Sequence, residues 1–358
     1  MSVDNRTPFP ALAFRQYNLA GQLLGVVVAR GTFRLSPTDG LELADVQRPL
    51  VMSDIYAGDP HETPQIACTD LAPFKPGTDV TFVGSAHSPD GQPHRSWECG
   101  LTVGSVGRRL RVTGPRVWKA KARRTWVGLL DPTKEWVLDG WALTEPEPVT
   151  EVPIDWRLAS GGPLYGSEAE SQTHDARNPI GRGHVDGRRF PDVQEWPAPQ
   201  IEDFTAPVCS PSDDREPVGL GPVSPFWSTR LRHAGTFDAA WKSERHPLMP
   251  ADFDFAFWQA APKGLVANPW LESDEPFKLE NLVSGRPVVR GRLPGLRLAV
   301  EIDQGTGPAR GPMVLDGVHF EFTPEAERVS LTWRVGFPWP ERKGRPILTA
   351  SRSGSGGV

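Results

Sequence analysis

Proline and glycine are the residues that most constrain how this chain folds. The sequence holds 38 Pro and 36 Gly among 358 residues. Proline removes a backbone donor and clashes inside a helix, and glycine weakens helices through its large backbone entropy. Long helices are therefore disfavoured over most of the chain, and strands joined by turns and ordered loops are favoured.

Alternation of apolar and polar residues predicts strands near the C-terminus. It runs through GLRLAVEI at 295–302, VHFEF at 318–322 and VSLTWRVGF at 329–337. A period of two places one set of side chains on a core face and the other on a solvated face. We therefore expect three neighbouring antiparallel strands whose wet face includes Thr332 and Arg334.

The N-terminal part of the chain shows the same pattern. Residues 26–35 and 79–85 are rich in apolar and β-branched side chains, as expected of buried strands. Alternation over 97–103 and 110–112, with a Gly-rich turn between, predicts a hairpin.

These patterns predict a mainly β protein of two packed antiparallel β lobes, sandwich-like, with few short helices. The predicted divisions are an N-terminal β lobe at 1–143, a loop-rich region dense in Pro, Gly and Trp at 144–247, a C-terminal β lobe at 248–345 and a flexible tail at 346–358. A short helix is expected from Thr236 to His246 with Thr236 as its N-cap, and a weaker helix candidate lies at 132–138.

Charge and cysteine content restrict the class of protein. The net charge is −5, which argues against a general nucleic-acid binder, and the three cysteines, Cys68, Cys99 and Cys209, are widely spaced. The N-terminus lacks a basic region followed by an apolar stretch, and no apolar run approaches the ~20 residues that span a bilayer. We expect a cytoplasmic protein with reduced thiols and no membrane partner.

Catalytic and cofactor motifs are missing from the sequence. It contains no phosphate-binding loop, nucleophile elbow or paired Cys or His spacing typical of zinc. Asp252 and Asp254 flank Phe253 and would share a strand face, which leaves a paired-carboxylate site open, but Asp residues that anchor loops are the favoured interpretation. We expect no enzyme activity, no metal and no cofactor.

One stretch is strongly basic. Between Arg108 and Arg124 there are eight basic residues and no acidic one. Lys119, Lys121 and Arg123 alternate with alanines, which predicts a cationic face on an edge strand. Protection against edge-to-edge aggregation, an acidic protein partner and nucleic acid all remain open. The candidate partner-binding residues here are Arg109, Arg111, Arg116, Lys119, Lys121 and Arg123.

Tryptophan is unusually common, with 13 residues. Exposed indoles on a β-sheet suit carbohydrate binding, so that function remains an alternative. Trp97 and Trp333 fall at inward strand positions, which favours core packing for these two residues.

An ordered set of short segments covers nearly the whole chain. They are TPF at 7–9, VVARGTF at 27–33, DIYAGDP at 54–60, DLAPFKPGTDV at 70–80, VGSVGRRLRVTGPRVW at 103–118, NPIGRG at 178–183, AGTFDAAW at 234–241 and LMPADFDFAFWQAAP at 248–262. This set resembles the bacterial domain of unknown function 2169, and DLAPFKPGTDV is its most specific piece. The signature positions, which we interpret as structural, are Asp70, Pro73, Phe74, Lys75, Pro76, Gly77, Asp79, Asn178, Pro179, Gly181, Gly235, Asp238, Asp252 and Asp254.

The resemblance implies a role in type VI secretion. Family members are typically encoded beside spike and toxin genes and are thought to be adaptors or chaperones that load effectors onto the VgrG–PAAR spike. The implied partners are a protein effector, VgrG and PAAR proteins. The loops at 178–183 and 234–254, with Arg182 as a possible carboxylate clamp and with Trp241, are candidate contact surfaces. A carbohydrate-binding or hydrolytic β-protein and a structural component of the spike tip remain the alternatives.

Overall fold

Strands dominate the computed structural model. It describes residues 3–37, 40–127, 133–165, 174–185, 195–211, 214–303, 308–339 and 345–352. In chain order the strands are β1 (Asp4–Asn5), β2 (Ala11–Tyr17), β3 (Leu23–Leu35), β4 (Leu41–Leu43), β5 (Ile55–Tyr56), β6 (Gln65–Ala67), β7 (Thr78–His87), β8 (Ser96–Val103), β9 (Val106–Thr113), β10 (Val117–Val127), β11 (Thr133–Leu143), β12 (Glu151–Pro153), β13 (Ser160–Tyr165), β14 (Arg182–Val185), β15 (Glu195–Pro197), β16 (Ile201–Asp203), β17 (Val266–Ala267), β18 (Pro276–Val283), β19 (Arg286–Arg292), β20 (Leu296–Asp303), β21 (Pro308–Pro312), β22 (Val314–Thr323), β23 (Ala326–Pro338) and β24 (Ile347–Arg352). The helices are α1 (Ser228–Leu231) and α2 (Ala239–Glu244), with single 3₁₀ turns at Trp156–Leu158 and Phe255–Trp258.

The largest sheet joins the two ends of the chain. Its strand order is β12-β7-β22-β23-β3-β2, with β17 paired to β7 and β4 paired to β3. Strand β7 runs parallel to β22, with Val80 opposite Val318, and β23 runs antiparallel to β3. Strands from the predicted lobes 1–143 and 248–345 are therefore direct neighbours, and the two segments do not build separate sheets.

A second sheet packs on the first. It has the order β16-β9-β8-β18-β19 and is antiparallel throughout. The predicted hairpin is confirmed as β8 and β9, with Ser96 opposite Thr113. The ring centroids of Phe277 in β18 and Phe320 in β22 are 5.7 Å apart, and both rings belong to one continuous apolar core. The mainly β fold class is confirmed.

Two predictions near the C-terminus are wrong. Strand β20 does not neighbour β22 or β23 but lies in a four-stranded sheet of order β1-β24-β20-β21. The predicted tail at 346–358 contains β24, which pairs with β20 on one side and β1 on the other. Leu348 of β24 is fully buried, which explains why this segment is held in place. Residues 353–358 lie outside the described residues.

Strands β10 and β11 form a long hairpin beside the main core. The three-stranded sheet has the order β11-β10-β15, so β10 is its middle strand and not an edge strand as predicted. Residues 133–138, part of the weaker helix candidate, belong to β11, and Pro132 lies outside the described residues. A small separate core of Trp118, Ala198 and Val208 supports the base of this sheet.

Helices are short, as predicted. Asp238, not Thr236, caps α2, because the Asp238 carboxylate accepts the backbone N–H of Trp241 at 2.8 Å. Thr236 is instead bonded to Asp252. None of the described helices is long and apolar enough to cross a bilayer.

The predicted wet face of β23 is wrong. Thr332 and Arg334 are buried, since the segment 44–77 lies across this side of the large sheet. Asp70 in that segment bonds to the Thr332 hydroxyl, and the carbonyls of Asp70 and Ala72 accept N–H groups from Arg334. Both faces of the sheet are therefore covered here, with a polar layer on one side.

Candidate functional site

The signature segment 70–80 carries buried charges into this polar layer. Asp70 accepts hydrogen bonds from Arg30 Nη1 of β3 at 3.2 and 3.1 Å. It also accepts the backbone N–H of Val51 at 2.8 Å. Asp70 thus holds the covering segment to the sheet through one side chain.

A second ion pair lies within the same segment. Lys75 Nζ is 2.8 Å from Asp79 Oδ2, and both side chains are buried. Burial alone would lower the pKa of Lys75, but the carboxylates of Asp79 and Asp316 outweigh it and raise the pKa. The lysine therefore stays charged inside the protein.

Asp79 also links two signature segments. Its carboxylate accepts the backbone N–H of Ala260 at 2.9 Å and that of Ala261 at 3.3 Å. These residues end the segment 248–262. A buried carboxylate needs such donors, because an unpaired charge in the interior is costly.

Sequence analysis missed the third ion pair. Arg334 Nε donates to Asp316 Oδ2 at 2.5 Å, and both residues are almost fully buried. Burial raises the pKa of Asp316, while Arg334 and Lys75 oppose that rise. We call the six residues Arg30, Asp70, Lys75, Asp79, Asp316 and Arg334 the ion network; it contains three cations and three carboxylates.

A small polar cavity adjoins the ion network. Its volume is about 40 Å³, and Cys68, Thr81 and His319 are among its lining residues. This space admits water but not an organic ligand, whose sites are typically about 300–1,000 Å³. The network is therefore built to hold protein segments together.

Burial shifts the pKa values of two groups that line this cavity, Cys68 and His319. Burial raises the pKa of Cys68 to about 12, so the thiolate that acts as a nucleophile is absent. Burial, with help from Arg30 and Arg328, lowers the pKa of His319 to about 3, so its ring is neutral. Part of this side chain reaches the surface, but its Nε2 is buried, and its Nδ1 lies 2.9 Å from the Thr81 hydroxyl.

Above the ion network lies a surface of aromatic rings. Phe74, between Pro73 and Pro76, points outward and is 42% exposed, while its neighbour Lys75 points inward. The Phe74 ring meets the edges of Phe255 at 5.5 Å and Trp270 at 6.0 Å between centroids.

The run after Pro250 supplies more rings. Buried Phe253 contacts Phe255 and Phe257, and Phe257 contacts Trp258. The indole N–H of Trp270 donates to the Lys75 carbonyl at 3.1 Å, which ties this ring to the same segment. We call the partly exposed set the aromatic face: Phe74, Phe255, Phe257, Trp258 and Trp270.

Asp252 and Asp254 shape the loop that carries these rings. Asp254 caps the 3₁₀ turn by accepting the N–H of Ala256 at 2.9 Å and also bonds to His233 Nδ1 at 2.7 Å. Asp252 accepts the N–H and hydroxyl of Thr236, next to Gly235 at φ 76°. Both carboxylates thus anchor the loop. They bond to neighbouring loop residues and do not form the paired-carboxylate site that the sequence left open.

The NPIGRG segment is a separate buried structure. Asn178 is fully buried, and its Nδ2 donates to the carbonyls of Trp156 at 2.8 Å and Ser160 at 2.9 Å. A side chain at Gly181 would collide with Asn178, which explains the glycine. Arg182 Nε donates to the carbonyl of Arg157 at 2.6 Å, so the guanidinium serves the backbone rather than a carboxylate at that contact.

The predicted cationic residues do not share one surface. Arg109 pairs with Glu98, and both Arg109 and Arg111 belong to β9. Arg116 is nearly buried against Glu202. The other three are on β10, where Lys119 pairs with Glu195 at 2.8 Å, Arg123 pairs with Asp139 at 3.0 Å, and Lys121 is exposed. Pairing within the chain thus neutralises several of these charges.

Trp241 is only partly exposed. Its indole N–H donates to the carbonyl of Leu248 at 2.9 Å, and its ring meets Phe237 edge-on at 4.8 Å. Trp241 therefore helps to hold α2 against the following loop.

Metal binding finds no support among the described residues, since none of their His, Cys, Asp and Glu side chains form a group of three or more that could hold an ion. Two residues of ligand type that are close in sequence, His94 and Cys99, have other surroundings. Cys99 is buried in the core, and His94 bonds to Asp90 at 2.8 Å.

The ion network and the aromatic face both lie within one family match. Residues 20–334 match the family described as an uncharacterized protein conserved in bacteria, DUF2169. No curated protein and no solved structure matches the chain. The chain thus belongs to this bacterial family, the domain of unknown function 2169.

Proposed function

We propose that the protein is an adaptor or chaperone that binds a second protein without covalent chemistry. Its partner would be a type VI secretion effector, or the PAAR-containing segment of one, which it presents to the VgrG spike. The assignment to type VI secretion comes from the family resemblance. The aromatic face is the observation that supports protein binding.

The composition of the aromatic face suits a protein interface. Aromatic residues are enriched at the centres of interfaces and supply most of the binding energy in many of them. Phe74 presents 42% of its surface to solvent and is flanked by other rings, so a partner would cover several of them together.

The support beneath the aromatic face also favours binding. Pro73 and Pro76 fix backbone angles on either side of Phe74, and Lys75 is held by Asp79 inside the ion network. A surface that is already ordered loses less conformational entropy when a partner binds. The ion network thus lowers the cost of association while making no contact with the partner itself.

The test is co-purification with the proteins encoded beside this one. The tagged chain would be expressed with the neighbouring spike and toxin proteins, and the complex recovered on the tag. Phe74→Ser should reduce recovery of the partner, whereas Tyr17→Ser should not. Tyr17 is a suitable control because it is 51% exposed and lies on β2.

Two results would contradict the proposal. One is recovery of neither the spike nor the toxin protein with the wild-type chain. The other is export of the chain into the culture medium by an intact secretion machine, which would indicate a structural part of the spike. Thermal unfolding of Phe74→Ser is measured beside that of the wild type, and binding is compared at a temperature at which both proteins are folded.

A further inference from the structure

The β10–β11 hairpin has one apolar face. Because residues opposite each other in an antiparallel pair share a face, the register assigns one set of side chains to the same side. On β10 the set is Trp118, Ala120, Ala122, Arg124 and Trp126, and on β11 it is Lys134, Trp136, Leu138, Trp141 and Leu143. We call this the hairpin face.

The rest of the chain covers the inner half of the hairpin face, which is the half at the base of the hairpin that contains Trp118, Trp141 and Leu143. Trp118 is 1% exposed and packs with Ala198 and Val208, and Trp141 and Leu143 pack against the same cluster. The inner half is therefore an ordinary small core, formed where the hairpin leaves the body of the protein.

The outer half of the same face presents large apolar side chains to solvent. Trp126 is 65% exposed and Trp136 is 57% exposed, and Ala122 beside them is also exposed. The Arg124 guanidinium lies 5.5 Å from the centroid of the Trp136 ring. Neighbouring exposed apolar side chains that form a patch bordered by polar residues are a recognised sign of an interaction site.

Charge indicates which kind of partner fits. The charged residues that the register assigns to the hairpin face are Arg124 and Lys134, both basic, whereas the whole chain has a net charge of −5. The hairpin face is thus a basic surface on an acidic protein, and an acidic partner is favoured over a second copy that presents the same basic face.

The position of the cations argues against nucleic acid. Arg124 and Lys134 lie on the hairpin face by register, but Lys119, Lys121 and Arg123 lie on the opposite side, where Glu195 and Asp139 pair with two of them. A strand of nucleic acid stacked on the indoles would need cations along its phosphates on the same surface.

We propose that the outer half of the hairpin face is a second docking surface, whose partner is a protein segment with apolar side chains interspersed with acidic ones. Trp126 and Trp136 contact the apolar side chains, and Arg124 pairs with an acidic one. This surface is distinct from the aromatic face and does not depend on the function proposed above.

Synthetic peptides provide the probe. A fluorescent peptide of alternating Leu and Glu is titrated with the full-length protein and followed by anisotropy, in parallel with peptides that alternate Ser with Glu and Leu with Lys. We expect saturable binding of the Leu–Glu peptide alone. Replacement of both tryptophans, Trp126→Ser with Trp136→Ser, should weaken it about tenfold or more.

A charge reversal on each side of β10 provides the matched control. Arg124→Glu and Lys121→Glu change the net charge equally, on the same strand but on opposite faces. Arg124→Glu should weaken binding of the Leu–Glu peptide several-fold more than Lys121→Glu. Thermal unfolding of each variant is measured to confirm that the protein is intact.

Several outcomes would overturn the inference. They are no binding of the Leu–Glu peptide, equal effects of the two charge reversals, loss of self-association on replacing the tryptophans in sedimentation experiments, and tighter binding of a single-stranded oligonucleotide or a glycan than of the peptide. Co-purification through the aromatic face would be unaffected by any of them, so the two proposals fail separately.

Discussion

Lys75 and Asp79 form an ion pair of 2.8 Å in the interior, one residue after the outward-facing Phe74. The same Asp79 carboxylate accepts the N–H of Ala260, at the end of the loop that carries Phe255 and Phe257. The two parts of the aromatic face are thus fastened to one buried carboxylate. Substitutions in the ion network should therefore lower the stability of the fold. They should weaken partner binding only because the aromatic face is then less well held.

The first prediction concerns this carboxylate. Asp79→Asn removes the partner of the Lys75 ammonium and leaves a buried charge uncompensated. The free energy of unfolding should fall by about 3 kcal/mol or more, as measured by urea denaturation.

The exposed pair Lys263–Glu216, at 2.9 Å, is the control for that prediction. Glu216→Gln should cost less than about 1 kcal/mol, because solvent screens surface pairs. Similar losses for Asp79→Asn and Glu216→Gln would contradict the role given to the ion network.

The second prediction is a pH dependence that comes from His319. Burial lowers the pKa of His319 to about 3 in the folded protein, so only the unfolded chain binds a proton as the pH falls below the ordinary value of about 6.5. The stability that neutral His319 contributes is fully present above about pH 6.5 and is lost as the pH falls towards 3. Between pH 7 and pH 5 this histidine should lower the free energy of unfolding by about 2 kcal/mol.

His319→Gln isolates this contribution. Urea denaturation of the variant between pH 7 and pH 5 should show a loss smaller by about 2 kcal/mol than that of the wild type. Parallel curves for the two proteins would mean that His319 takes up its proton in the folded state.

The third prediction concerns Gly77 in the signature segment. A side chain at this position would collide with the carbonyl oxygen of Ala267, whereas one at Gly336 of β23 would meet open space. Gly77→Ala should lower the free energy of unfolding by about 1–3 kcal/mol, the usual cost of overpacking.

Gly336→Ala is the matched control, and it should be close to neutral in the same thermal or urea unfolding experiment. If both substitutions were neutral, the segment 70–80 would not pack as tightly against β17 as the structure indicates.

Local features of the fold could be predicted from the sequence. Apolar and β-branched content correctly indicates β3 and β7, and alternation correctly indicates the β8–β9 hairpin and the β22–β23 pair, because these signals depend on neighbouring residues. Sheet order could not be predicted in the same way. The pairing of Val80 with Val318 joins positions far apart in sequence, and no short pattern reports it.

The ion network illustrates a second limit. Alternation separates Thr332 and Arg334 from the apolar face of β23 but does not show that the segment 44–77 covers them. Arg334 and Asp316 were therefore missed, although Asp70, Lys75 and Asp79 stood out through the family signature.

The hairpin face could have been found from sequence. Trp118, Ala120, Ala122 and Trp126 fall on one face of β10 together with Arg124, because they lie two or four residues apart along a strand. Lys119, Lys121 and Arg123 alternate on the other face of the same strand and give an equally regular pattern. The aromatic face was harder to predict, since Phe74, Phe255 and Trp270 meet only through the tertiary fold.

Titration calorimetry of the purified chain with the effector encoded beside it tests the central claim most directly. The account predicts saturable binding that Phe74→Ser weakens about tenfold or more and that Tyr17→Ser leaves unchanged. The absence of binding by the wild-type protein, or equal affinity of the wild type and Phe74→Ser, would contradict it.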